Sequence, residues 1–178
     1  PIKVIEFIGG SMMNEKIIIG KHTLESLTSG MYSDSYVVFR EYIQNSVDSI
    51  DAAIKSGILM SGEEQIIVQL RPTEQEIIIR DNGTGIACNE AEKILISIGN
   101  SQKTSESSRG FRGIGRLAAL SYCKKLVFQT SFLGESKATT ITIDADKLSD
   151  LLLDSSDIDA SVVDVLQKVY EVKTKPEK

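Results

Sequence analysis

Glu41, Asn45 and Asp48 follow one another at offsets of four and three residues. On an α-helix such offsets set all three side chains on one face. A carboxylate there can orient and deprotonate water, and an amide oxygen one turn later can face a hard cation such as Mg2+. A second group is Asp81-Asn82-Gly83-Thr84-Gly85, a carboxylate followed by alternating glycines. Glycines there let the main chain approach a ligand closely. A third is Gly110-Phe111-Arg112-Gly113-Ile114-Gly115, glycines that open a helical segment. Free N–H groups and a positive helix end are what a phosphate needs.

Each group also has a plainer reading. The Glu41 stripe fits the solvated face of any amphipathic helix. Asn82-Gly83 is an ordinary turn dipeptide. Gly113-x-Gly115-x-x-Ala118 imitates a dinucleotide fingerprint, but no strand immediately precedes it, as that fingerprint requires. No G-x-x-x-x-G-K-[ST] run occurs, so P-loop chemistry is excluded. The information lies in the conjunction of the three groups in this order.

The elements that must position them are legible from periodicity. A helix is predicted over about Tyr36 to Lys55, stopped by Ser56-Gly57. Ile43, Val47, Ile50 and Ile54 form its apolar stripe, and Glu41, Asn45, Asp48 and Ala52 lie opposite. Gln65–Leu70 and Glu76–Arg80 read as a hairpin whose second strand runs straight into Asp81. Asn89 and Glu92 have capping-box spacing for a helix reaching about Ile98. Gly99–Arg109 is polar, with glycines at its flanks, and is predicted to be a loop that responds to a bound ligand. A helix over Arg116–Tyr122, strands near Leu126–Ser131 and Ala138–Asp144, and a helix over Asp146–Leu153 follow. Asp154–Ser161 reads as a linker. The apolar-patterned Val162–Val172 after it has no obvious partner. The expected division is therefore residues 1–153 as one domain and 154–178 as linker and start of a following segment.

Bulk properties narrow the class. The 178 residues suit one domain, and an apolar share of 41% suffices for its core. No apolar run approaches the ~18 residues of a membrane span. The net charge of −5 gives no chain-wide footprint for nucleic acid. Cys88 and Cys123 stand far apart and the lone histidine, His22, cannot complete a zinc set. They read as reduced thiols of a cytoplasmic protein.

In its three groups, from about Ile17 to Asp144, the chain resembles the GHKL ATPases, whose nucleotide domain is called the Bergerat fold. Asn45-Ser46-Val47-Asp48 is similar to the chaperone, MutL, MORC and topoisomerase branches. Gly110-Phe111-Arg112-Gly113 resembles MutL or MORC, and Ile114-Gly115-Arg116 leans toward heat-shock-90-like proteins. The resemblance implies an α+β, two-layer sandwich with a mixed, mostly antiparallel sheet and helices on one face. It implies ATP or ADP with Mg2+ as ligands and slow ATP hydrolysis by the isolated domain. Asp81 would read adenine, with Gly83 and Gly85 beside it. Glu41 would activate water, and Asn45 would hold Mg2+. Asp48 would support adenine-side waters or the neighbouring loop. Gly110, Gly113, Ile114 and Gly115 would cradle phosphates. Lys103 would meet the γ-phosphate, with Arg109 and Arg112 as alternatives. A threonine of Ala138-Thr139-Thr140-Ile141 would back Asp81, Thr139 ahead of Thr140.

The resemblance also implies a homodimer in the full-length protein and protein clients. Two other readings compete with the chaperone-like one. A nucleic-acid clamp of MutL, MORC or topoisomerase type would need DNA contacts elsewhere. A histidine-kinase module is disfavoured by Asp48, since sensor kinases usually lack an aspartate there.

Overall fold

A computed structural model describes residues 35–96, 115–154 and 162–176. Ile17–Ile19, His22, Lys103, Arg109, Gly110, Arg112, Gly113 and Ile114 lie outside the described residues. Helix α1 spans Ser35–Lys55. Its deepest line runs through Val38, Ser46, Ile50 and Ala53. That line falls between the two predicted stripes: Ile43, Val47 and Ile54 flank it on one side, Glu41, Asn45 and Asp48 on the other, all half-buried. The helix stops as its sequence predicts. Gly57 turns left-handed at φ +73° and its N–H bonds the Ile54 carbonyl, a conformation that costs glycine little.

Strands β1 (Ile66–Arg71) and β2 (Glu76–Asp81) pair antiparallel, with Val68 opposite Ile79 and Ile66 opposite Asp81. The hairpin therefore delivers Asp81 at a register end, where the chain leaves the sheet. A second sheet holds β3 (Lys125–Ser131), β4 (Lys137–Asp144) and β5 (Tyr170–Pro176) in the order β3-β4-β5. Every described strand pairing is antiparallel. Thr139, Ile141 and Ile143 of β4 are buried at alternate positions, as strand pleating requires. Opposite them in β3 stand Thr130, Phe128 and Leu126.

Helices close this core. Helix α2 (Cys88–Ile96) brings Ala91 and Leu95, and α3 (Ala145–Leu153) brings Leu148. Asp144 caps α3 by accepting from the Lys147 N–H at 3.0 Å. Between α2 and β3 lies a 3-10 helix, Gly115–Ser121, where an α-helix is predicted. Leu117, Ala118 and Leu120 are all buried. The three-residue turn eclipses Leu117 with Leu120 and suits a segment covered on more than one side.

The predicted capping box does not form. Helix α2 begins at Cys88, one residue before Asn89, and the Cys88 N–H bonds the Glu135 carboxylate at 3.0 Å. A carboxylate from the β3–β4 turn thus answers the positive helix end. Glu92 instead accepts from the Tyr170 hydroxyl. The apolar segment after the predicted linker finds its partners earlier in the chain. Val162–Val169 forms α4, which buries Val165, Leu166 and Val169 in the same core. Tyr170–Pro176 is β5, paired along β4 from Ile143 to Lys137.

Candidate functional site

Helix α1, the Asp81 loop and the 3-10 helix carry the described candidate residues, and they meet along α1. Glu41 reaches the first residue of the 3-10 helix: a Cβ added to Gly115 would stand 2.1 Å from Glu41 Oε2. A side chain there would require that carboxylate to move. Tyr42, the next residue on α1, donates from its hydroxyl to the Arg116 carbonyl at 2.7 Å. Arg116 in turn donates from Nε to the Leu95 carbonyl, near the end of α2, at 3.1 Å. Burial lowers the Arg116 guanidinium from its usual value, as it does for any desolvated cation. Asn45, one turn beyond Glu41, is half-buried. Asp48 accepts from Gln44 Nε2 at 2.9 Å.

The loop from Asp81 to Gly85 is wedged between helix and sheet. Asp81 Oδ1 accepts from the Gly83 N–H at 3.0 Å, which shapes the turn. Gly83 abuts α1, where an added Cβ would come within 2.2 Å of Ser49 Oγ, and the Thr84 N–H bonds the Ser49 carbonyl. Gly85 has φ +65° and abuts β3, where an added Cβ would come within 1.7 Å of the Ser131 carbonyl oxygen. The Ile86 N–H then bonds Thr130 Oγ1 at 2.8 Å. The glycines thus have a packing reason of their own: they let the loop pass close to protein on both sides.

Thr139 lies directly opposite Thr130, so the two share one sheet face. It is 1% exposed, and its hydroxyl is a buried polar atom with no hydrogen-bond partner among the described residues. Such a hydroxyl is costly unless something satisfies it. Thr140 is half-buried, points to the other face and pairs with Gln129. The strand register sets Thr139, and not Thr140, on the face of Thr130, whose hydroxyl holds the end of the Asp81 loop.

A cleft of about 320 Å³ borders this loop, lined by Ile58, Gly83, Thr84, Ser131, Phe132, Leu133, Gly134 and Glu135. Glu41, Asn45 and Asp81 do not line it. Its one charged residue, Glu135, is already committed to Cys88, whose thiol and amide hydrogen bonds hold that carboxyl below its usual range. The chemistry-bearing residues are those along α1.

Sequence reasoning named Glu41, Asn45, Asp48, Asp81, Gly83, Gly85, Gly115 and Thr139. The structure brings Glu41 to Gly115, and it brings the Asp81 loop to Ser49 and Thr130. It missed Tyr42, Ser49, Thr130 and Arg116. One signal was available: Tyr42 falls four residues after buried Val38, and a tyrosine on an inward line must place its hydroxyl. No group of three or more His, Cys, Asp or Glu able to hold a metal occurs among the described residues. Cys88 and Cys123 are free thiols, the latter pushed up chiefly by burial.

The family model for histidine kinase-, DNA gyrase B- and HSP90-like ATPases matches residues 32–173. The chaperone protein HtpG of Geobacter metallireducens is 28% identical over 137 residues, which is 66% of this chain and 21% of that protein. HtpG of Legionella pneumophila is 28% identical over 120 residues, 60% of this chain and 19% of its own. HtpG of Salinispora tropica is 24% identical over 139 residues, 67% of this chain and 22% of its own. The chain thus spans about a fifth of the length of these relatives.

Proposed function

The chain belongs to the family of histidine kinase-, DNA gyrase B- and HSP90-like ATPases, and on that premise we propose that it hydrolyses Mg2+–ATP slowly, as the nucleotide domain of a chaperone-like protein. ATP binding follows from the family itself. The observation that carries hydrolysis is the Glu41 carboxylate held against Gly115, where the glycine-rich run ends. A domain that only bound nucleotide would have no need of a base at that place. The chaperone assignment draws on the relatives named HtpG.

In this reading Glu41 orients the attacking water and takes its proton. Asn45 would offer its amide oxygen to Mg2+, which would supply neutralisation of phosphate charge when bound. Asp81 accepts from the exocyclic amine of adenine. Guanine carries a carbonyl oxygen there, so two acceptors would face each other. Such an unsatisfied contact costs roughly 1–3 kcal/mol, about five- to a hundredfold in affinity. Thr139 supplies the neighbouring hydroxyl, and its lack of a partner among the described residues fits a ligand or water on that side.

Calorimetry with ATP and GTP tests the assignment of Asp81. ATP is expected to bind more tightly by at least about fivefold, and Asp81→Asn to erase most of that preference. Equal affinities in the unsubstituted chain would sink it. Phosphate release tests the rest. Glu41→Ala should keep binding and lose turnover, whereas Asn45→Ala should lose the Mg2+-dependent part of binding.

A further inference from the structure

The contact between Glu41 and Gly115 is secured by their immediate neighbours. Tyr42 follows Glu41 and Arg116 follows Gly115, and the Tyr42 hydroxyl bonds the Arg116 carbonyl at 2.7 Å. This bond therefore lies one residue away from the carboxylate–glycine contact on both segments. The Tyr42 ring is itself fixed, edge-on to Phe128 with centroids 6.5 Å apart, and packs beside Val38 and Ala118. Arg116 is tied from the other side by its Nε bond to the Leu95 carbonyl. Gly115 lies against the Glu41 carboxylate, where a Cβ would sit 2.1 Å from Oε2. The bond from Tyr42 ties the residue next to Gly115 to α1, beside the packing of Ala118 on Val38.

We propose that Tyr42 is a positioning residue for hydrolysis: through the Arg116 carbonyl, its hydroxyl fixes the start of the 3-10 helix against the Glu41 carboxylate. The proposal rests on the reading of Glu41 as the base. Tyr42 moves no proton. It sets the separation between the group that activates water and the backbone that ends the phosphate-side glycine run. Errors of about 1 Å in such a separation cost up to about a hundredfold in rate, while leaving ground-state binding largely intact.

Tyr42→Phe keeps the ring and deletes only the hydroxyl. The test compares the unsubstituted 178-residue chain with Tyr42→Phe, Glu41→Gln and the double variant. Phosphate release gives kcat, and calorimetry with a non-hydrolysable ATP analogue gives Kd. We expect Tyr42→Phe to lower kcat about tenfold and to change Kd by less than about twofold. In the Glu41→Gln background it should cause no further loss, because its effect passes through Glu41. Arg116→Lys, which withdraws the Nε bond to Leu95, should show the same split with a smaller fall in kcat. An unchanged kcat in Tyr42→Phe beside an inactive Glu41→Gln would overturn the positioning role and leave Glu41 as the base. A Kd that weakens in step with kcat, or an equal further loss in the double variant, would show a merely structural role and also overturn it. A Glu41→Gln chain with unchanged kcat would remove the base, and the proposal with it.

Discussion

Gly115 and Gly85 are both intolerant of a side chain, for different reasons, and their variants should separate function from stability. A Cβ at Gly115 meets a carboxylate at the end of a side chain, which can swing away. Gly115→Ala is therefore expected to fold and bind ATP but to lose turnover about as severely as Glu41→Ala, measured by phosphate release. A Cβ at Gly85 meets the Ser131 carbonyl in a paired strand, and the backbone there is left-handed at φ +65°. The left-handed conformation alone costs a non-glycine residue about 1–2 kcal/mol. Gly85→Ala is thus expected to lose at least about 2 kcal/mol in urea unfolding, with or without nucleotide. At this scale Glu41, Asn45 and Asp48 were legible because their spacing encodes a helix face. Choosing Thr139 over Thr140 needed a strand register, which one sequence does not supply. The bond from Tyr42 to Arg116 joins residues 74 positions apart, and nothing local announces it.

The elements were read well where one stripe or one alternation governs them, as in α1, the β1–β2 hairpin and β4. They were read poorly where a distant group decides. The start of α2 is set by Glu135 rather than by Asn89, a partner 47 residues from Cys88. Strand β5 resembles a charged tail because Glu171, Lys173 and Lys175 alternate with Tyr170, Val172 and Thr174. Among the described strands it lies at an edge, and charges suit an edge that must not recruit another strand. Helix α4 and β5 together should be required for stability. A chain ending at Asp154 loses Val165, Leu166 and Val169 from the core, at about 1.5–3 kcal/mol each. It is expected to unfold well before the full chain in thermal melts. Equal melting would place residues 154–178 outside the domain. The tie between α2 and β5 has its own signature. The bond to Glu92 pushes the Tyr170 phenol from 10.0 up to about 12. The fold favours the protonated phenol, so this contribution is complete below pH 10 and is lost as pH climbs toward 12. Tyr170→Phe should lack that alkaline loss in melts between pH 10 and 12, and the tyrosine absorbance titration should lose a component near pH 12.

At the scale of the chain, the 178 residues span about a fifth of the length of the HtpG relatives, and no described helix is long and apolar enough to cross a membrane. The proposed site is built from α1, the Asp81 loop and the 3-10 helix. Membership of the family leads us to expect slow turnover by this chain alone, below the roughly 1 s−1 edge of ordinary enzymes. Phosphate release per chain, followed over a wide range of protein concentration, measures this. A rate that rises with concentration would point to completion of the site by a second copy. A fast rate that is indifferent to dilution would show that 178 residues suffice.

The wedging of the Asp81 loop between Ser49 and Ser131 has a consequence for evolution as much as for chemistry. In a saturation library screened only for soluble expression, Gly83 and Gly85 should already be depleted of every other residue, and Ser49 should admit little beyond alanine and glycine. Glu41 and Asn45 should pass that screen freely and be purged only when growth depends on turnover. Two selections run on one library would therefore divide the motif into letters kept for shape and letters kept for reaction. The shape letters of a family fingerprint can therefore survive in descendants that no longer hydrolyse anything, while its reaction letters drift.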